Sequence, residues 1–462
     1  MMRAFSLAEA RSWTGAECRL GDQTSVMFRG VSTDTRTLAP GHLFVALRGE
    51  NFDGHQFLHQ AQDRGAVGLV VDTPDHSVGL PQLVVEDTLK ALAQLAAGNR
   101  EESTAGMLAI TGSSGKTTVK EMCAAILSQM GQTLSTKGNL NNHIGVPLTL
   151  FGLSQEHQYG VIELGASGLG EIAHTVALAK PRVAILTNAG EAHLEGFGSY
   201  ENIVLAKGEI IEGVAADGLV VLNSDDPACG TWRKRAGARR VVGVSRLGAE
   251  ADYHVVVENR KAGNRNIQVS GPDGWQCRVT LGLEGDHNIT NMLLAIAATR
   301  ELGASDQAIV DGLAGVASVQ GRLQFLTLSP GLTLIDDSYN ANPSSMKVAL
   351  GVLAEREGQQ VAVLGAMGEL GVEARALHRE VGQCARDLGI DRVITVGQGC
   401  EGYADGFGGS TESVRSHEEA VEAAIGDKNT PLTVLVKGSR SSAMERVVEG
   451  IKEKVNNTCC SG

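Results

Sequence analysis

Long hydrophobic runs are missing from this sequence of 462 residues. No segment approaches the roughly 18 apolar residues that a membrane-spanning helix needs. The first stretch, MMRAFSLAEARSWTGAECRL, lacks the apolar core of about 7–15 residues that is typical of a secretory signal. We therefore expect no membrane insertion and no secretion, and we predict a cytoplasmic location.

Positive charge is in deficit, with 40 Lys and Arg against 53 Asp and Glu and a formal net charge of −13. Proteins that bind nucleic acid through its phosphates depend on Lys and Arg. We therefore predict no nucleic-acid partner. A small anionic substrate stays compatible with this composition, because a local group of Lys and Arg can bind it.

Cysteine patterns that bind metals are also missing. The eight cysteines are scattered without a CxxC pair or a zinc-finger spacing, which favours reduced thiols. The adjacent Cys459 and Cys460 near the end of the chain are predicted to be surface thiols. We find no internal repeat and no low-complexity linker.

The apolar content of 42% is ample for packed cores, and the length predicts two to four domains at about 100–200 residues each. Residues 1–86 resemble a small α/β domain. Residues 87–319 alternate strands and helices, which predicts a mostly parallel sheet with helices on both faces. Residues 320–462 repeat this alternation and predict a doubly wound, Rossmann-like domain.

One segment of the middle region, residues 251–283, breaks this rhythm. Its alternating polar and apolar residues predict antiparallel hairpins. The predicted turns lie at Gly263-Asn264 and Asp273-Gly274.

The segment AITGSSGKTTVKEMCAAIL combines a short strand, a cluster of small residues and a helix. Its backbone N–H groups and helix N-terminus can bind phosphates, Lys116 can reach the outer phosphates, and Thr117 can bind Mg²⁺. The strict P-loop pattern is not met, because Ile110 occupies the position of its first glycine. An ordinary βα turn is the alternative. The predicted phosphate-binding residues are Gly112, Ser113, Ser114, Gly115, Lys116, Thr117 and Thr118.

This segment leaves the fate of the terminal phosphate open. A switch protein would transfer it to water, a kinase to a hydroxyl and a ligase to a carboxylate. The residues that could distinguish these reactions must therefore lie elsewhere in the chain.

Further polar residues follow other predicted strands. Glu163 ends the strand of VIELGAS, where carboxylates commonly bind the metal of nucleotide enzymes; a solvated Glu is the alternative. His193 lies in TNAGEAHLEGFGS, in the same predicted sheet. The segment GNLNNHIGVP offers three asparagines that could bind a substrate or form a turn. They are Asn139, Asn141 and Asn142.

Ten segments follow one another along the chain: TGSSGKTT, GNLNNHIGVPLTL, VIELGAS, AHLEGFGS, AKGEI, DHNITNMLLAIA, GRL, DDSYNANPSSM, GAMGELG and VLVKGSRSSAME. In this order they resemble the motifs of the Mur ligase family. This family contains the ATP-dependent enzymes that extend the peptide of peptidoglycan precursors. The resemblance covers nearly the whole chain, including VSTDTRTLAPGHLFVALRGENFDGHQF near the start.

The resemblance implies three domains: the first holds the UDP end of the substrate, the second holds ATP, and the third closes over the site. Within the family, the segments are most similar to those of members that add D-alanyl-D-alanine to UDP-N-acetylmuramoyl-tripeptide through an acyl phosphate. The resemblance thus implies ATP and Mg²⁺ as cofactors and these two small molecules as substrates. We also expect a monomer.

The resemblance also implies roles for individual residues. Lys116, His193 and Lys207 match catalytic positions, and Lys207 corresponds to a lysine that sister ligases carry as a carbamate. Thr117, Glu163 and His193 match magnesium ligands. Asn288, Arg322 and Asp337 match residues around the nucleotide. The substrate-binding positions are Ser32, Asp34, Arg36, Asn139, Asn141, Asn142, Tyr339, Asn340, Asn342 and Lys437.

Two alternatives stay open. Another ligase on this scaffold, such as a folylpolyglutamate synthase, would carry Asp-Gly-Ala-His-Asn-Pro, which is absent from this sequence. A nucleotide switch that only hydrolyses ATP would need no substrate domain on either side of its nucleotide domain.

Overall fold

The computed structural model describes residues 2–19, 23–261, 264–426 and 431–459. In these ranges three α/β units follow one another along the chain, with main sheets of five, nine and six strands. The α/β class predicted from the sequence is confirmed. Among the helices of these ranges, none is both long and apolar enough to cross a bilayer.

The first unit is built on a five-stranded sheet, with two small two-stranded pairs beside it. Its strands are β1 (Phe5–Ser6), β2 (Glu17–Arg19), β3 (Met27–Phe28), β4 (Val31–Ser32), β5 (Leu43–Val45), β6 (Arg48–Gly49), β7 (Phe52–Asp53), β8 (Gly68–Val71) and β9 (Gln82–Val84). Its helices are α1 (Leu7–Thr14) and α2 (Leu58–Asp63), with 3₁₀ turns at Gln23–Ser25 and Gly54–Phe57. Helix α3 (Thr88–Glu101) follows at the start of the predicted middle region.

The main sheet of the first unit has the order β2-β9-β8-β5-β4. All neighbouring strands are parallel except β2 and β9. Because parallel strands end at the same edge of a sheet, the segments after β4, β5 and β8 lie along one edge. Asp34 and Arg36 are in the first of these segments.

The middle unit contains the nine-stranded sheet. Its strands are β10 (Gly106–Thr111), β11 (Thr133–Ser135), β12 (Tyr159–Glu163), β13 (Val183–Leu186), β14 (Leu219–Asn223), β15 (Arg240–Ser245), β16 (Tyr253–Lys261), β17 (Asn264–Ser270) and β18 (Gln276–Leu281). Its helices are α4 (Lys116–Ser128), α5 (Gly145–Leu150), α6 (Glu171–Ala179), α7 (Leu194–Phe197), α8 (Tyr200–Gly208), α9 (Cys229–Ala236), α10 (His287–Glu301) and α11 (Asp306–Ala314), with a 3₁₀ turn at Pro272–Gly274.

The middle sheet has the order β11-β12-β10-β13-β14-β15-β16-β17-β18. Strands β11 to β16 pair in parallel, and β16, β17 and β18 pair antiparallel, which confirms the predicted hairpins. The predicted turn at Asp273-Gly274 is present, and Asp273 has a left-handed φ of 59°. Gly263, in the other predicted turn, lies outside the described residues, as does the side chain of Asn264.

Strand β10 shows why the run MLAI is apolar throughout. Leu108 and Ile110 pack in the core formed with α4 and α10. Met107 and Ala109 pack on the opposite face, in a core that continues through α3 into the first unit. Since helices cover both faces of the sheet, every side chain of the strand is buried.

The third unit contains the six-stranded sheet, ordered β19-β20-β24-β21-β22-β23. Its strands are β19 (Gln324–Ser329), β20 (Leu332–Asp337), β21 (Gln359–Gly365), β22 (Arg392–Val396), β23 (Thr411–Val414) and β24 (Leu432–Lys437). Its helices are α12 (Pro343–Ala354), α13 (Ala374–Asp387), α14 (Glu401–Phe407), α15 (His417–Ile425) and α16 (Glu445–Cys459), with 3₁₀ turns at Gly371–Glu373 and Arg440–Ser442.

Separate cores cover the two faces of the third sheet, so that Ile335 belongs to one core and the adjacent Leu334 to the other. This is the doubly wound arrangement predicted from the sequence. The strands are parallel except for the antiparallel pair β19 and β20. The side chain of Cys459 and all of Cys460 lie outside the described part of the chain.

Candidate active site

One large cavity, of about 1100 Å³, lies between the middle and third units. Its walls come from the segments that follow parallel strands in the two sheets, which is where α/β folds place ligands. The site residues predicted from the sequence that line it are Ser113, Ser114, Gly115, Lys116, Thr118, Asn139, Asn141, Asn142, Glu163, His193, Asn288, Arg322, Asp337, Tyr339, Asn340, Asn342 and Lys437.

The remaining predicted residues lie outside this lining. Ser32, Asp34 and Arg36 form a local group on the first unit. The Ser32 hydroxyl donates to the Asp34 carbonyl at 2.9 Å, and the Arg36 guanidinium pairs with the Asp34 carboxylate at 2.7 Å. The Arg36 side chain is 85% exposed. Gly112, Thr117 and Lys207 are not among the lining residues, but each is hydrogen-bonded to a residue that is.

The glycine-rich turn between β10 and α4 needs its glycines for two reasons. Gly112 has a φ of 148°, and a Cβ atom there would lie 1.9 Å from the Thr187 hydroxyl. Gly115 has a φ of 79°, and a Cβ atom would lie 2.7 Å from Asn291 Oδ1. The backbone therefore bends where no other residue fits, and its N–H groups precede the N-terminus of α4.

Lys116 begins α4 and folds back over this turn. Its Nζ donates to the Gly112 carbonyl at 2.6 Å and to the Ser113 carbonyl at 3.4 Å. Enclosure by the protein lowers the pKa of Lys116, an effect that the Glu163 carboxylate opposes and the Arg322 charge reinforces. These hydrogen bonds place the ammonium group beside the predicted phosphate site.

Glu163 ends β12 and is only 2% exposed. Its carboxylate accepts from the Thr117 hydroxyl at 2.9 Å and from Asn141 Nδ2 at 2.8 Å. Glu163 therefore connects the start of α4 and the asparagine segment through direct hydrogen bonds.

His193 lines the same cavity, and its ring contacts the Glu369 carboxylate of the third unit through Nδ1. Among the described residues, no group of three or more His, Cys, Asp and Glu side chains is arranged to hold a metal. This agrees with Mg²⁺ sites of nucleotide enzymes, where one or two protein carboxylates act together with substrate phosphates and water. Glu163 and His193 both line the cavity, and the Thr117 hydroxyl contacts Glu163, so donors of the kind that Mg²⁺ takes are present there.

Lys207 of α8 is 2% exposed. Its Nζ donates to the Ala166 carbonyl at 3.2 Å and lies 5.0 Å from the centre of the Phe197 ring. Burial, together with the charge of Lys116, lowers the pKa of Lys207 to about 7. Since Ala166 lines the cavity, this amine lies directly behind its wall.

Two further pairs of residues in contact line the cavity. Asn291 Nδ2 donates to Asn288 Oδ1 at 2.9 Å on α10. The Arg322 guanidinium lies 4.4 Å from the centre of the Tyr339 ring. Arg322, which precedes β19, therefore contacts the segment that follows β20.

A buried ion pair lies on the third unit, where Lys437 Nζ is 2.6 Å from the Asp337 carboxylate. Burial raises the pKa of Asp337, and the Lys437 charge opposes that shift. Lys437 Nζ also donates to the Asn340 carbonyl at 2.8 Å, which connects the ends of β20 and β24.

Several predicted asparagines make local hydrogen bonds. Asn142 Oδ1 accepts from the N–H of Gly145 at 2.8 Å, and Asn342 Oδ1 caps α12 by accepting from the N–H of Ser345 at 2.9 Å. Asn340 Oδ1 accepts from the N–H of Ala341. These oxygens stabilise turns and a helix end, so only the remaining groups of these side chains are available to a ligand.

The structure adds cavity residues that the sequence analysis missed. Asn188 Oδ1 accepts from the N–H of Ser114 at 3.0 Å, and Asn188 follows β13 beside β10. Its position after a parallel strand was the available signal. Asn291 follows Asn288 by one helical turn in NITN, a spacing that places both on one helix face. Glu369 lies in GAMGELG, a segment that follows β21 and carries part of the family resemblance, but no sequence signal indicated its contact with His193.

The fold and this cavity define a three-unit α/β enzyme with a glycine-rich phosphate-type turn at the start of a helix. Three family models match the chain: "Mur ligase family, catalytic domain" over residues 27–100, "Mur ligase middle domain" over 110–299, and "Mur ligase, glutamate ligase domain" over 321–440. The chain belongs to the Mur ligase family.

The relatives of this chain align with it over nearly their whole length. The UDP-N-acetylmuramoyl-tripeptide--D-alanyl-D-alanine ligase of Escherichia coli K12 is 46% identical, over 93% of this chain and 94% of the relative. The ligase of the same name from Bacillus subtilis is 34% identical, over 92% and 94%.

Solved structures show the same arrangement. A crystal structure of MurF from Acinetobacter baumannii has a TM-score of 0.92 at 34% identity, covering 98% of this chain and 99% of that one. MurF from Thermotoga maritima in complex with ADP has a TM-score of 0.84 at 28% identity, covering 93% and 98%. A folylpolyglutamate synthase from Mycobacterium tuberculosis, at 16% identity and a TM-score of 0.63, shares the fold alone.

Proposed function

We propose that this chain is the ATP-dependent ligase that joins D-alanyl-D-alanine to UDP-N-acetylmuramoyl-tripeptide, forming the pentapeptide precursor of peptidoglycan, ADP and phosphate. The observation that carries the proposal is the large cavity lined both by the phosphate-type turn of the middle unit and by the SYNANP segment of the third unit. The relatives of that name cover this chain almost completely.

The chemistry explains why such an enzyme needs ATP. A carboxylate does not react directly with an amine at neutral pH, because oxide is a very poor leaving group. Transfer of the γ-phosphoryl group to the carboxylate forms an acyl phosphate, whose phosphate leaves when the amine attacks. This transfer depends mainly on positioning and on stabilising negative charge.

The middle unit supplies that stabilisation in our proposal. The turn from Gly112 to Gly115 and the N-terminus of α4 bind the phosphates through backbone N–H groups. Lys116 turns from the loop carbonyls to the transferred phosphate, with Thr118 beside it. Asn288 and Arg322 bind the adenine and ribose, and Asp337 binds the ribose from the third unit.

We propose that Thr117, Glu163 and His193 hold Mg²⁺. Bound there, the ion would neutralise charge on the phosphate oxygens. Glu163 is already oriented by Thr117 and Asn141, so its carboxylate needs no reordering to bind a cation.

The two substrates are proposed to enter from opposite sides. Asn139, Asn141 and Asn142 bind the tripeptide end near the acyl phosphate. Tyr339, Asn340, Asn342 and Lys437 bind D-alanyl-D-alanine from the third unit. Docking of the third unit would bring the amine within about 3–3.5 Å of the carboxyl carbon and keep water out.

Each proposed domain has its own role. Residues 1–86 bind the UDP-sugar, residues 87–319 bind ATP, and residues 320–462 close over the site and bind the amine. We also propose a cytoplasmic monomer. Sedimentation and cell fractionation test these two statements.

Isotope transfer tests the reaction itself. With ¹⁸O in the terminal carboxylate of the tripeptide, we expect the label in the released phosphate, because one carboxylate oxygen leaves with it. Phosphate release should be slow with ATP alone and fast only with both other substrates. Rapid hydrolysis without the tripeptide, or unlabelled phosphate from a productive reaction, would reject the acyl-phosphate mechanism in favour of a plain ATPase.

A prediction concerns the first unit. Arg36→Ala should raise KM for the UDP-sugar peptide several-fold and leave KM for ATP nearly unchanged, because an exposed guanidinium suits diphosphate and lies outside the ATP cavity. Steady-state kinetics with each substrate varied in turn measures both constants. Arg11→Ala, which removes an exposed arginine from α1 of the same unit, is the control. An equal rise for both substrates would contradict the assignment.

A further inference from the structure

Glu369 of the third unit contacts the middle unit at two points. Its carboxylate contacts Nδ1 of His193, and its carbonyl oxygen accepts from the N–H of Glu195 at 3.0 Å. Gly371 lies against Glu195 as well, since a Cβ atom on Gly371 would lie 3.8 Å from Glu195 Cβ. The segment after β21 is thus docked on the segment that begins α7.

Both contacting residues have an unusual backbone. His193 has a φ of 57° and Glu369 a φ of 59°. Among the described residues only six that are not glycine have positive φ, and two of them meet here. Such conformations cost free energy and persist where the surrounding structure requires them, often at functional sites.

The contact has a consequence for the imidazole. A carboxylate that accepts the Nδ1–H of a neutral histidine fixes the tautomer in which Nε2 carries a lone pair. Histidines that bind metals commonly donate their other ring N–H in this way, which orients the ring and makes the ligand nitrogen more basic. Nε2 is then the nitrogen that can bind the ion.

We propose that Glu369 is a positioning residue for the metal site: it holds the His193 ring in the orientation and tautomer in which Nε2 binds the ion. The proposal rests on the assignment of His193 as a metal ligand under the proposed function. Because Glu369 belongs to the third unit, this half of the metal site forms only when that unit is docked. Metal binding and domain closure are thereby coupled.

Metal affinity tests the proposal without turnover. Mn²⁺ binding to the full-length protein with ADP is followed by EPR for wild type, Glu369→Ala, His193→Ala and Glu373→Ala. Glu373 is an exposed acid in the same loop, and its replacement changes the net charge equally. We expect about tenfold or greater weakening for Glu369→Ala and His193→Ala, and wild-type affinity for Glu373→Ala.

The outcomes separate the two assignments. Unchanged affinity in His193→Ala would reject His193 as a ligand and, with it, the role of Glu369. Weak binding in His193→Ala with unchanged or tighter binding in Glu369→Ala would overturn the role of Glu369 alone. Tighter binding would mean that Glu369 competes with the ion.

Ring NMR gives a readout that a purely structural role would not change. In the full-length protein with ¹⁵N-labelled histidine, at a pH where the ring is neutral, His193 should be the Nδ1–H tautomer in wild type. Glu369→Ala should shift it to a tautomer mixture. Glu369→Gln, which is isosteric and keeps an acceptor oxygen, should fold normally and retain an intermediate fraction. A wild-type His193 spectrum in Glu369→Ala would overturn the proposal.

Discussion

Lys116→Ala is expected to lower kcat by about 10²–10³-fold, the usual cost of losing one positioned charge that stabilises a transition state. We expect this effect because its Nζ donates to the Gly112 carbonyl, at the turn that we propose binds the phosphates. Coupled measurement of ADP release with saturating substrates gives kcat. Thermal melting of the same sample should show an intact fold, because the side chain packs in no apolar core.

Lys234→Ala is the matched control for this result. It removes an exposed lysine from α9 of the same unit and should leave kcat unchanged. Activity of Lys116→Ala within threefold of wild type, in a folded sample, would remove this lysine from the mechanism.

Lys207→Ala is expected to be nearly inactive and to regain part of its activity with a small added carboxylate such as formate. We predict that this lysine carries a carbamate formed from CO₂, which converts an ammonium into a carboxylate. Only the neutral amine reacts with CO₂. With a pKa lowered to about 7, about half of Lys207 is neutral at that pH, roughly a thousandfold more than for an ordinary lysine.

Direct detection separates the carbamate from a packing role. After incubation with ¹³C-bicarbonate, the wild-type protein should show a carbamate carbon signal by ¹³C NMR, and Lys207→Ala should lack it. The signal should grow between pH 6 and 8, because the amine loses its proton as the pH rises through about 7. A spectrum without this signal at pH 8, or an inactive variant that no carboxylate restores, would refute the carbamate.

Local patterns in the sequence carried much of the prediction. The run MLAI, the small residues after it and the amphipathic α4 predicted a strand, a phosphate-type turn and a helix, and the structure has all of them. The hairpins of residues 251–283 were equally visible, because alternation and turn residues act over a few positions. The hydrogen bond between the Thr117 hydroxyl and Glu163 was not predicted.

Contacts between distant segments were beyond local patterns. His193 and Glu369 are 176 positions apart, and no periodicity relates them. The asparagines show a different limit, because an asparagine side chain can stabilise a turn, cap a helix or bind a ligand. Asn342 was predicted to bind a ligand, yet its Oδ1 caps α12.

The sequence by itself determined the three α/β units, the phosphate-type turn and the family, because these depend on short-range patterns and on ordered motifs that run the length of the chain. Only the tertiary structure decided which polar residues share one cavity, that Lys207 is buried with a pKa near 7, and that Glu369 reaches His193. The physical reason is that burial and charge proximity are properties of packed surfaces from different units. These properties shift the pKa of a side chain and orient it, whereas its neighbours in the chain do not specify them.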